Sequence, residues 1–152
     1  MILIPLDGLR AVSAAAEAAY PEEACGLLVG RRIPGGHARV TRVEAAVNVA
    51  ADRRTGFEVD PGLRIGLERE LRGTDQAIVG HYHSHPDGPA RPSATDLAKA
   101  FEPDLIWLIV AVVRRQASQV LAFTPRLDRS GFREIAIHAV EGDPKVDPRR
   151  KT

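Results

Sequence analysis

GHYHSHPDGPARPSATD, residues 80–96, is the stretch from which the chain is best read. It begins where a short apolar segment, 77–82, reads as a strand. It continues through 84–92, where Pro86, Pro89 and Pro92 with Gly88 predict a loop. It closes on Ser93, which opens a short helix expected over 93–101. On a strand, residues i and i+2 point to the same side. His83 and His85 can therefore reach one point in space from a rigid element. Imidazole nitrogen is a preferred ligand of zinc, at about 2.0–2.1 Å. Asp96 lies on the first turn of the following helix, and the proline-rich loop can fold that turn back over the strand end. Two histidines and one carboxylate supply three protein ligands and leave a fourth tetrahedral position for water, the mark of a catalytic rather than a structural zinc site.

The same residues carry plainer readings. His81 shares the parity of His83 and His85, so it competes with Asp96 for the third ligand position. Ser93 and Asp96 spell Ser-x-x-acid, a capping box in which Ser93 is the helix N-cap. Local physics alone leaves Asp96 open between capping acid and metal ligand. Cys25 reads as a small core residue rather than a nucleophile. Trp107 sits inside an apolar strand and reads as core. His37 and His138 lie far from the motif and have no chemical role.

Outward from this stretch, helices and strands alternate. Asp7 is expected to cap a helix in which Leu9, Val12, Ala15, Ala16 and Ala19 recur at helical spacing, with Pro21 ending it. Residues 25–29 read as a strand, 34–36 as a turn and 38–49 as the returning strand. Phe57 and Val59 suggest a brief strand. Proline at a first helical turn is favourable, and a helix is expected over 61–72. Further strands are expected at 105–114, 120–123 and 132–140, with a polar turn at 115–118. One domain over 1–141 of α/β class follows, with helices flanking a mixed sheet that has antiparallel neighbours. The tail GDPKVDPRRKT, 142–152, has little to bury and is expected to be disordered.

Composition narrows the function. Lys plus Arg is 21 and Asp plus Glu is 20, a formal net charge of +1. No whole-chain field attracts nucleic acid or an anionic membrane, and neither is expected as a partner. The longest apolar run, 105–113, is about half of the roughly 20 residues needed to span a bilayer. MILIPLDGLR is not a secretory signal. The single cysteine excludes an intramolecular disulfide and fits a reducing, cytoplasmic compartment.

The joint pattern is more specific than its parts. His83-Ser84-His85, seven residues from Pro86 to Pro92, then Ser93-Ala94-Thr95-Asp96 resembles the motif of the JAMM (MPN-plus) zinc metallopeptidases. Upstream, Pro21-Glu22-Glu23-Ala24-Cys25-Gly26 resembles that family's Pro-x-Glu-x-Cys-Gly segment, and Asn48, Phe57 and Asp60-Pro61 fit the middle of its domain. The resemblance covers roughly residues 5–125 and implies an MPN-like domain with a curved, barrel-like mixed sheet. It implies that His83, His85 and Asp96 bind Zn²⁺. It makes Glu23 the general base that takes a proton from the attacking water and passes it to the leaving amine, and Ser93 the donor to the oxyanion. Residue chemistry alone does not separate Glu22 from Glu23; only the family register favours Glu23. The chain lacks the insertions and accessory zinc residues of eukaryotic deubiquitinases and is similar to the small prokaryotic members. The implied substrate is a ubiquitin-like or sulfur-carrier protein cut after its C-terminal glycine, by deconjugation, trimming or cysteine release. Residues 49–58 are expected to supply or cover a strand edge that receives the tail. Two rivals remain at this stage, a catalytically silent MPN-type scaffold and a zinc hydrolase of small molecules. Oligomeric state is not legible.

Overall fold

The computed structural model describes residues 1–141, so the expected tail at 142–152 lies outside the described residues. Eight strands and three helices run in the order β1 (Ile2–Pro5), α1 (Leu6–Ala19), β2 (Cys25–Ile33), β3 (His37–Ala46), α2 (Pro61–Leu71), β4 (Ala77–Pro86), α3 (Ala94–Ala98), β5 (Ile106–Val113), β6 (Gln116–Pro125), β7 (Phe132–Ile135) and β8 (Ile137–Val140). They form one mixed sheet ordered β7-β6-β5-β4-β2-β3-β1-β8. The strands at its two ends, β7 and β8, are separated in the chain by Ala136 alone. A continuous backbone can join opposite edges through one residue only if the sheet curls until those edges meet. The result is a nearly closed, barrel-like sheet.

Several expected elements differ from those observed. β1 was not anticipated: four residues are too few for a periodic signal, and its partners, β3 and β8, are distant in sequence. Because β1 runs directly into α1, the N-cap position falls on Pro5, not Asp7, and no side chain caps the helix. Asp7 sits in the first turn, 3.7 Å from Arg10. The single strand expected over 132–140 is two strands that pair with different neighbours. β4 runs on to Pro86 instead of giving way to a loop at Ser84, and α3 is shorter than expected. Of Phe57 and Val59, only Val59 forms a bridge, with Asn48.

The β4–β5 pair explains where the site faces. They pair in parallel, with His81 opposite Trp107, His83 opposite Ile109 and His85 opposite Ala111. Even-numbered β5 residues, Ile106, Leu108, Val110 and Val112, pack with Val12 and Ala16 of α1 in the larger core. Odd-numbered residues, Trp107, Ile109 and Ala111, form a second core with Ala100 and Phe57. β5 is buried on both faces, which is why it reads as an unbroken apolar run. The three histidines of β4 share the odd face. Two glycines permit close approach here. A Cβ on Gly26 would lie 2.2 Å from the Tyr82 ring and 2.4 Å from the Glu44 carbonyl; on Gly80 it would lie 2.4 Å from the Ile106 carbonyl.

Candidate metal centre

The site residues come from separate elements, β4, α3 and the segment before β2. His83 and His85 project from the end of β4. Asp96 is on the first turn of α3, and its carboxylate does two jobs. Its Oδ2 accepts from the Ser93 backbone N–H at 2.9 Å, while Ser93 Oγ accepts from Asp96 N at 3.1 Å, which completes the capping box. The same Oδ2 lies 3.1 Å from His85 Nε2 and 3.3 Å from His83 Nε2. Capping and converging on the histidines are thus compatible, because a carboxylate has lone pairs for both.

His83 Nε2 and His85 Nε2 are 3.0 Å apart. Three donor atoms so close repel one another unless a proton or cation lies between them. Ligands about 2.0–2.1 Å from a tetrahedral ion are separated by about 3.3 Å, so the observed spacing of 3.0–3.3 Å fits a shared metal to within a few tenths of an ångström. His85 Nδ1 donates to the Pro89 carbonyl at 2.8 Å, which leaves the Nε2 lone pair facing the centre. Phe57 stacks on His83 at 4.3 Å between centroids and fixes its ring plane. A Glu23 carboxylate oxygen lies within 4.8 Å of a nitrogen of each of these two histidines. The donor set is that of a metal site.

Electrostatics separates the acids. Burial alone would raise Asp96, but hydrogen bonds to His83 and His85 outweigh it and hold the carboxyl well below its usual range. Burial pushes Glu23 up to about 7, with His85 opposing and Asp96 adding to the shift. His83 is lowered by burial, against the pull of Asp96. For His85, burial is overridden by the hydrogen bonds to Asp96 and Pro89, and its pKa is raised.

The remaining candidates sort themselves. Glu22 turns away to Arg53 at 3.2 Å, whereas Glu23 is buried. His81 stays out of the cluster: its ring packs against Trp107 at 4.3 Å and lies 6.3 Å from that of His83. Cys25 is buried with its thiol pushed up to about 11 by burial, in keeping with a core role. Ser93 is exposed beside Asp96, and accepting a bond from Asp96 N leaves its O–H able to donate.

Two residues that the motif resemblance includes without a role, Ser84 and Asn48, support the site. Ser84, fully buried between the histidines, accepts from Ala24 N at 2.8 Å and donates its own N–H to the Ala24 carbonyl at 3.1 Å. It clips the Glu23 segment to β4. Asn48 Nδ2 donates to the carbonyls of Glu23 and Gly56, and its Oδ1 accepts from the backbone of Ala50 and Glu58. Glu23 N donates to the Arg53 carbonyl at 2.7 Å. Residues 49–58 therefore cover the Glu23 segment, with much of their backbone paired inward.

A mixed, barrel-like α/β sheet carrying two strand histidines, a helix-capping aspartate and a buried glutamate defines an MPN-type domain with a metalloprotease-like site. Residues 5–124 match the family described as prokaryotic homologs of the JAB domain, and the chain belongs to it. It is 38% identical over 90 residues to a desampylase of Haloferax volcanii, a match spanning 59% of this chain and 62% of that protein. It is 34% identical over 111 residues to the CysO-cysteine peptidase of Mycobacterium tuberculosis, 73% of each chain. The solution structure of protein DSY2949 from Desulfitobacterium hafniense superposes with a TM-score of 0.79 at 34% identity, over 93% of this chain and 94% of that one.

Proposed function

We propose that the protein is a zinc-dependent peptidase that hydrolyses the amide bond after the C-terminal glycine of a ubiquitin-like or sulfur-carrier protein. The observation that carries this reading is the approach of His83 Nε2, His85 Nε2 and the Asp96 carboxylate to within 3.0–3.3 Å of one another, with the Glu23 carboxylate beside them. Relatives named desampylase and CysO-cysteine peptidase support the substrate class. Zinc bound there would supply Lewis acidity to polarise the scissile carbonyl and make water nucleophilic near neutral pH. His83, His85 and Asp96 would hold the ion. Glu23 takes the proton of the attacking water on its carboxylate and returns it to the leaving nitrogen, a transfer helped by a pKa near the working pH. Ser93 donates its hydroxyl hydrogen to the oxygen that becomes negative as the carbonyl turns tetrahedral. The Phe57 ring, stacked on His83, keeps water off one side of the ligand.

Among the described residues no helix is long and apolar enough to cross a membrane. The lone buried cysteine supports a cytoplasmic location. The test is mass spectrometry of carrier–amino-acid and carrier–protein conjugates incubated with zinc-loaded protein. Glu23→Gln is expected to retain zinc and to lose about 10²–10⁴ in rate. Full activity in Glu23→Gln together with its loss in Glu22→Gln would move the base to Glu22. An intact conjugate set with zinc bound would favour the scaffold reading.

A further inference from the structure

A cavity of about 330 Å³ opens on the odd face of β4, beside the histidine cluster. His81 lines it; His83, His85, Asp96 and Glu23 do not. Its floor is apolar, built from Leu27, Val59, Leu105 and Trp107. Phe57 forms the partition: one ring borders the cavity and stacks on His83 at 4.3 Å. The cavity thus begins one ring away from a metal ligand. His81 adds a second observation. It is more than nine-tenths buried, and its Nδ1 finds no hydrogen-bond partner among the described residues. An unpaired imidazole nitrogen in a buried place costs stability and calls for an explanation outside the fold.

Resting on the peptidase reading above, we propose that this cavity binds the leaving group, accepting the side chain of the residue on the amine side of the scissile bond, of medium to large apolar type such as leucine or methionine. The argument is one of reach. Successive residues of an extended peptide advance about 3.3 Å. A cavity one ring away from a metal ligand therefore serves a residue within one or two positions of the cut. On the carrier side the residue at the cut is the C-terminal glycine of the reading above, which has no side chain to offer. The occupant must come from the other side of the bond. Glu58, Arg64, Lys99 and Glu102 line the more exposed part of the cavity, but the buried floor is apolar; it favours an apolar side chain and disfavours an acidic one, whose charge would lose its water there. His81 is the one buried polar residue of the lining.

Trp107, the only tryptophan of the chain, lines the cavity and reports on it directly. Titration of the protein, with and without zinc, with L-leucinamide and L-methioninamide is expected to shift Trp107 emission saturably. Glycinamide and L-aspartic acid α-amide are expected to give no shift at tenfold higher concentration. In parallel, carriers ending in Gly-Gly-Xaa are expected to be cut with kcat/KM roughly 10–100-fold higher for leucine or methionine at Xaa than for glycine or aspartate. Val59→Phe, which fills the floor, should erase the preference by slowing only the large side chains; an unchanged melting temperature checks its fold. Cleavage indifferent to Xaa, or a Trp107 response equal for all four amides, overturns the leaving-group assignment and leaves the peptidase reading standing. Failure to cut any Gly-Gly-Xaa carrier overturns the peptidase reading itself, and the assignment with it.

Discussion

At the residue scale, the informative acid is Glu23, because its environment sets it against the stability of the fold. Burial raises its carboxyl from an ordinary 4.5 to about 7. Between those values the folded protein holds a proton that the unfolded chain has released. Glu23 is therefore most favourable to folding below about pH 4.5, and that contribution is lost as pH rises through about 7. Metal-free Glu23→Gln is expected to be more stable than the parent at pH 8, on the order of 1–3 kcal/mol, with the gap closing towards pH 5. Denaturant melts of chelated protein at the two pH values check this; a gap that widens towards pH 5 would contradict it. Asp96 teaches the converse. Its sequence context announces a helix cap, and the cap is real. Only the position of β4 turns the same carboxylate into a metal ligand candidate.

At the element scale, β4 is the strand on which the site is built. It pairs antiparallel with β2 and parallel with β5, so neither edge is free. The β2 pairing ends at Cys25–His83, and Ser84 extends the contact one step further by bonding both backbone groups of Ala24. That bond holds Glu23 at the histidines. Ser84→Ala leaves the Ala24 N–H unpaired in a buried place, an expected cost of about 1–3 kcal/mol. Because Glu23 is then less firmly held, kcat should fall by more than zinc affinity does, and Ser84→Thr should restore it. Equal losses in kcat and zinc affinity would mean that Ser84 acts through the histidines instead. Periodicity makes α1, α2, β2 and β5 legible in the sequence, because their apolar spacing spans eight or more residues. It is a poor guide to β1, β7 and β8, which have four residues each and are defined by partners distant in the chain.

At the scale of the whole molecule, the proposed site ties metal binding to the fold. The three proposed ligands come from two elements, β4 and α3, joined by the loop that also supplies the Pro89 carbonyl. An ion that binds only when these meet stabilises the native state by mass action, by about 2.7 kcal/mol at a hundredfold excess over its Kd. For a domain of this size that is a rise of roughly 5–11 °C in Tm. Calorimetry with zinc and then with chelator should show the rise and its reversal, and Asp96→Asn should abolish it. An equal rise in Asp96→Asn would remove that residue from the ligand set.

By itself the sequence determined the α/β class, the pairing of His83 with His85, and the burial of β5, because each is written in spacings of two to four residues that local geometry converts directly into a face. It also carried the JAMM-like spacing from His83 to Asp96, which pointed to a ligand where local physics left Asp96 open between cap and ligand. The tertiary structure decided what depends on contacts across the chain. It closed the sheet through β1, β7 and β8, set Glu23 rather than Glu22 against the histidines, and sent His81 to the Trp107 wall instead of the cluster. Parity gives His81 the same face as His83. Distance along the strand, and the Phe57 ring that separates cavity from cluster, give it a different neighbour.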